Sequence, residues 1–184
     1  MSESDINNEP SIYRDNLSTF SSVSKDTAHN VSMINDMTIP VYNFDDIKKK
    51  YKVRCSMHSD PCSCDALYID DNQIVFIEFK NGKVDRHNII RKLYDSLMIL
   101  FDKGMGLQWR RKDYEANISY SRMNISFILV CRRERNPSSI IHGHLARRAD
   151  FGLGVLRGYL FHDVKVYPPE EFERYFLEQC HINP

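Results

Sequence analysis

Two stretches of the chain are almost wholly apolar. Ile74-Val75-Phe76-Ile77 and Ile125-Ser126-Phe127-Ile128-Leu129-Val130-Cys131 are short runs of β-branched and aromatic residues, the pattern of buried strands. Between them, Ile89, Ile90, Leu93, Leu97, Leu100 and Phe101 recur at intervals of three and four. That period predicts a helix over 86–103, with Arg91, Lys92 and Asp95 on its polar side and Gly104 and Gly106 as its stop. A further strand is predicted over 65–70. It is joined through Asp70-Asp71-Asn72 to the strand over 73–80, which ends at the turn dipeptide Asn81-Gly82.

The flanking pattern is less regular. Residues 1–38 are rich in Ser, Asn and Asp and predict a weakly structured N-terminal arm, with one short helix near 11–20 marked by Ile12, Tyr13, Leu17 and Phe20. Asn43 caps a predicted helix over 43–51; an extended piece at 51–55 and a loop over 56–63 follow. Residues 107–122 read as basic and irregular. A helix over 138–149 with Ser138 or Ser139 as its cap, a short strand over 164–167 and a helix opening at Pro168-Pro169 complete the series. The closing helix is expected to turn Phe172, Tyr175, Phe176 and Cys180 inward. A helix connecting the strands 73–80 and 125–131 is a crossover, so the two are predicted to run parallel. The order describes an α/β domain over 39–184, with a central mixed sheet flanked by helices.

Composition excludes several classes. With 184 residues, 42% of them apolar and 11% aromatic, the chain has enough material for one folded core. No apolar run reaches the roughly 18–20 residues that span a bilayer, and the first ten residues have neither a basic segment nor an apolar core. The expectation is a cytoplasmic protein without membrane partners, its five cysteines reduced. The net charge of zero conceals an asymmetry: residues 80–148 carry 15 Lys and Arg against 6 Asp and Glu, and residues 1–79 carry 7 against 13. A basic middle region suits a polyanionic partner; a set of solvated helix faces is the alternative.

The candidate chemistry lies where the strand 73–80 ends. Glu78 and Lys80 are two apart and share one face of that strand. They follow four apolar residues, and Asp65 stands across the turn. Charged side chains at the end of a buried strand are paired or bound to something. Two carboxylates that converge suit a hard divalent cation, Mg²⁺ or Mn²⁺, with the Phe79 carbonyl as a third oxygen and Lys80 to orient the attacking water. A surface hairpin with Glu78 and Lys80 paired in solvent is the plain alternative.

Asp65 followed by Glu78-Phe79-Lys80 resembles the PD-(D/E)xK superfamily of nucleases. The match is sharp over residues 64–80 and looser, through element order, to residue 131. Cys64 stands where that family often has proline. The resemblance implies a restriction-endonuclease-like core and metal-dependent phosphodiester hydrolysis. Asp65, Glu78 and Lys80 would be catalytic, and Asp65, Glu78 and Phe79 the metal ligands. It further implies a nucleic-acid substrate, DNA before RNA, and a homodimer if both strands of a duplex are cut. An acidic residue on a preceding helix is also common in the family; Asp45, Asp46, Glu9 and Asp15 are the candidates, although Asp45 and Asp46 are equally the favourable first-turn charges of a capped helix. Lys83, Arg86, Arg91 and Lys92, directly after the site, and Arg110 and Arg111 beside Trp109, are candidates for gripping phosphate. A non-catalytic nuclease-fold protein that binds nucleic acid or protein is the alternative function.

Other motifs carry less. Cys55, His58, Cys62 and Cys64 offer four soft ligands for a structural zinc, but without the separated pairs usual for such sites. His142 and His144 lack a third ligand nearby. Asp150-Phe151-Gly152 has no Gly-rich loop before it, Gly104-Met105-Gly106 no following Gly-Lys, and no cysteine sits in a nucleophile's setting.

Overall fold

The run Ile74–Lys80 forms the strand around which the sheet is arranged, buried along its length except at its last residue. The computed structural model describes residues 11–27, 29–102, 107–132 and 150–182. Its first elements are α1 (Ser11–Arg14), β1 (Leu17–Thr19), α2 (Phe20–Val23), β2 (Lys25–Asp26) and β3 (Val31–Ser32). Then come β4 (Pro40–Asn43), α3 (Phe44–Arg54), β5 (Ala66–Ile69), β6 (Ile74–Lys80) and α4 (Arg86–Phe101). α5 (Ile118–Asn124), β7 (Ile125–Cys131), β8 (Asp163–Tyr167), α6 (Pro169–Phe172) and α7 (Glu178–Ile182) follow.

Six strands form one mixed sheet in the order β1-β4-β5-β6-β7-β8, and β2 pairs with β3 in a separate hairpin. Neighbours from β1 to β6 are antiparallel; β6–β7 and β7–β8 are parallel. The parallel pairing expected across the helical crossover is present and sets Glu78 against Leu129 and Lys80 against Cys131.

The period of two along β6 builds a layer on each face. Ile74 and Phe76 pack with Phe44 and Ile47 of α3 and with Ile89, Leu93, Leu97 and Leu100 of α4. Val75, Ile77 and Phe79 pack on the other face with Phe20, Ile34, Phe172 and Phe176. The architecture is therefore a six-stranded mixed sheet with helices on both sides. Among the described residues no helix is long and apolar enough to cross a membrane.

Several expectations are corrected. Over the described residues of 11–38 the chain is not a weakly structured arm: Leu17–Thr19 is an edge strand, and Tyr13, Phe20 and Ile34 are fully buried. A few large side chains in a polar stretch suffice to dock it. Pro40–Asn43, unmarked by alternation, is a strand between β1 and β5. Residues 51–54 continue α3 instead of extending, and part of the irregular basic stretch forms α5, capped by the Asn117 side chain accepting from the Tyr120 N–H. On the closing helix Tyr175 is exposed and Leu177 takes the inner position, because Glu173–Leu177 is a π-helical turn that shifts the phase of the inward face. The helix expected over 138–149, His142 and His144, Gly104 and Gly106, and Glu9 lie outside the described residues.

Candidate active site

The strand period that buries Phe76 puts Glu78 and Lys80 on the same side of the sheet, facing α4. Glu78 is fully buried. Its charge is met by two ammonium groups. Lys92, from the second turn of α4, donates to Oε1 at 2.7 Å and to Oε2 at 2.9 Å. Lys80 lies 2.9 Å from Oε1. Lys92 also donates to Asp65 Oδ1 at 3.2 Å, so both carboxylates converge on one positive charge. The side chains of Lys92, Asp65 and Lys80 remain 17%, 18% and 25% exposed, which leaves the cluster open to solvent along one edge.

Local structure fixes the acids. The register of β5 and β6, extended by two pairs beyond Ala66 and Ile77, would set Cys64 and Phe79 across from each other. That pair is broken: the Cys64 N–H donates to Ser96 Oγ at 2.9 Å, and the Phe79 N–H donates to Asp65 Oδ2 at 2.7 Å. The Phe79 carbonyl thus lacks the N–H the ladder would bring it from Cys64. The Cys62 N–H donates to Asp95 Oδ2 at 2.7 Å, so the segment before β5 is fastened to α4 at two successive positions of that helix. Ser63 Oγ donates to Asp45 Oδ1 at 2.7 Å, tying the same segment to the first turn of α3.

The electrostatics follow from this crowding. Burial, and then the charge of Glu78, push the Asp65 carboxyl well above the usual range, against the opposing Lys92 charge and the Phe79 hydrogen bond. Burial alone would lower the Lys92 ammonium, but the charges of Asp65 and Glu78 and the bond to Glu78 outweigh it and hold Lys92 protonated. Burial also raises Asp45, yet hydrogen bonds from Lys48 and Ser63, with the charges of Lys48 and Lys92, bring it below the ordinary carboxylate value. Asp45 in turn raises Asp65. Of the candidate helix acids, Asp45 therefore belongs to this cluster. Asp46 serves the helix start, with Asn43 and Lys49 as partners, and Asp15 pairs with Arg14 and Lys50.

The basic residues divide. Lys83, Arg86 and Arg91 are exposed at the end of the sheet where β6 stops and α4 begins, and the Arg86 Nε donates to the Gly152 carbonyl at 3.3 Å. Arg110 and Arg111 do not join them. Their segment packs at the far end of α4, where Tyr114 Oη donates to the Leu100 carbonyl; Arg110 lies over the Trp109 ring and Arg111 pairs with Asp113. Eight residues of helix, roughly 12 Å, separate Lys92 from Leu100. Lys92 itself lies within the acid pair and not on the phosphate-facing surface assigned to it from sequence. Arg132, which the sequence did not single out, sits at the site's end of β7 and donates to Asn81 Oδ1 at 3.1 Å.

The soft-ligand loop does not gather. Cys55 is exposed, Cys64 is buried, and among the described residues no group of three or more His, Cys, Asp or Glu is placed to hold a metal ion. Cys62 and Cys64 are drawn to α4 by their main-chain N–H groups, whereas Cys55 stands at the end of α3. Sequence reasoning also missed Ser63, Asp95 and Ser96. Their one trace in the sequence is that Asp95 and Ser96 follow Lys92 by three and four residues and so share its side of α4, where the structure buries Ser96; Ser63 left none. Comparison of the chain with family models, with curated proteins and with solved structures returns no match.

Proposed function

We propose that this protein is a metal-dependent nuclease with a restriction-endonuclease-like core, acting on phosphodiester bonds of nucleic acid, DNA before RNA. The observation that carries the reading is the convergence of Asp65 Oδ1 and both Glu78 oxygens on a single cationic group, Lys92 Nζ, at 3.2, 2.7 and 2.9 Å. A positive charge already stands where the two acids converge. The donor set suits Mg²⁺ or Mn²⁺, which take carboxylate and carbonyl oxygens and keep several waters. Asp65, Glu78 and the Phe79 carbonyl would hold the ion.

Bound there, such an ion supplies a Lewis acid and a water of lowered pKa. The chain's own residues do the rest. The Phe79 N–H and the buried setting of Glu78 keep the carboxylates from turning away. Lys80, more open than Lys92, orients the attacking water and offsets charge on the phosphate. Lys83, Arg86 and Arg91, exposed around the same strand end, hold the backbone of the substrate. The position is the one where α/β sheets commonly bind ligands, at the carboxyl ends of parallel strands.

The test is cleavage of single- and double-stranded DNA and RNA with Mg²⁺, with Mn²⁺ and with EDTA. Cleavage that needs the metal and is lost in Lys80→Ala is expected. Equal cleavage by Lys80→Ala, or none under any condition, overturns the reading. The second reading, a non-catalytic binding module of this fold, is favoured by one observation: Lys92 already bridges the two acids. Nucleic-acid retention without calorimetric binding of Mg²⁺ or Mn²⁺ would select it.

A further inference from the structure

We propose that Lys92 is the resident cation of the acid pair, and that a divalent ion enters only by displacing its ammonium group. The inference rests on the reading of Asp65 and Glu78 as a cation site, not on cleavage.

Glu78 is fully buried and Asp65 mostly so, and two carboxylates facing each other in such a place repel unless a cation lies between them. Lys92 supplies that cation and does so by three hydrogen bonds, to Glu78 Oε1 and Oε2 and to Asp65 Oδ1. The remaining Asp65 oxygen is taken by the Phe79 N–H. The oxygens that a divalent ion would need are therefore the ones the ammonium now occupies. Lys80 is not equivalent. It approaches Glu78 Oε1 alone and reaches toward solvent. Lys92 stands on a helix turn locked to the opposite loop through Asp95 and Ser96, so its main chain is fixed while its flexible four-carbon stem lets the ammonium swing out once its three bonds are given up. The displaced group stays at the mouth of the site, where a phosphate would accept it.

The probe is Mn²⁺ alone, titrated by calorimetry into wild type and Lys92→Met, which keeps an unbranched stem and removes the charge. Mn²⁺ binding at least roughly tenfold tighter in Lys92→Met is expected, since the ion no longer competes with an ammonium. Unchanged or weaker binding overturns the proposal. If Lys92→Met does not fold without metal, wild type decides the matter. Acetylation of Lys92 by an amine-directed reagent, read by peptide mass spectrometry, is expected to be slow in EDTA and several-fold faster with Mn²⁺, with exposed Lys49 unchanged. A Lys92 rate insensitive to Mn²⁺ overturns the proposal. Cleavage is scored separately. Protein that releases Lys92 to Mn²⁺ yet cuts no substrate retires the nuclease reading alone; protein that cuts with Lys92 still protected retires this inference alone.

Discussion

The main-chain N–H of Phe79 donates to the Asp65 carboxylate at 2.7 Å, a strand hydrogen bond handed to a side chain where β5 has not yet begun. Asp65 is thereby both a site acid and a structural acceptor. Asp65→Ala leaves that N–H without its partner, at a cost of about 1–3 kcal/mol, whereas Asp65→Asn retains an oxygen for it. Urea denaturation is expected to rank Asn above Ala by about that difference. Equal stability of the two would show that the N–H finds water instead.

Lys80 and Lys92 both contact Glu78 but are expected to differ in kind. Removing Lys80 leaves both Glu78 oxygens bonded to Lys92, so Lys80→Ala should change stability by under about 1 kcal/mol while abolishing cleavage. Removing Lys92 leaves a buried acid pair with only one partial partner, and Lys92→Ala should cost about 3–5 kcal/mol. Chemical denaturation of the two variants side by side, in EDTA, checks the order.

The raised pKa of Asp65 has a definite sign. Its value rises from 3.8 to about 7 on folding, so the folded state holds a proton that the unfolded state has lost. The Asp65 contribution to stability is thus most favourable below pH 3.8, diminishes as pH rises toward about 7, and is constant above. Asp45, whose pKa is lowered, contributes in the opposite direction and loses its share on acidification. The difference in unfolding free energy between wild type and Asp65→Asn, measured from pH 4 to pH 8 without metal, should move against wild type as pH rises from 4 toward about 7 and then level off.

The cysteines give an independent check on the loop before β5. Burial pushes the Cys64 thiol well up, and Cys131 and Cys180 are also buried, while Cys55 is exposed. Alkylation of the native protein followed by mass spectrometry is expected to modify Cys55 first and to spare Cys64. Metal analysis of the same sample is expected to find no stoichiometric zinc; a zinc-loaded chain with Cys55 protected would contradict the described loop.

The central fold was legible because β6 and β7 are apolar runs and α4 carries a strong helical period, all in continuous sequence. The edge strands β1 and β4 were not, since three or four residues show too little alternation to stand out and owe their conformation to the sheet they join. The phase shift at Glu173–Leu177 breaks the rule by which Tyr175 was placed inward. At the site, Asp65, Glu78 and Lys80 are brought to one end of the sheet because Glu78 and Lys80 share a strand face and Asp65 lies across its hairpin. The part of Lys92 was hidden. Its flanking position on α4 is equally that of a solvated lysine, and only the approach of β5 turns it toward the acids. Arg110 and Arg111 illustrate the reverse: nearness to the site in basic character did not bring nearness in space.

The register of β5 against β6 also dictates where the chain tolerates a change of length. The turn Asp70–Gln73 is held by its own Asp70 side chain, which accepts from the Asn72 and Gln73 N–H groups, so residues added at its tip disturb neither strand. One residue added between Ile74 and Ile77 would invert every side chain beyond it, delivering Glu78 into the layer of Phe172 and Phe176 and Phe79 into the acid cluster. Homologues of this protein should therefore vary in hairpin length but keep an unchanged count from Ile74 to Lys80.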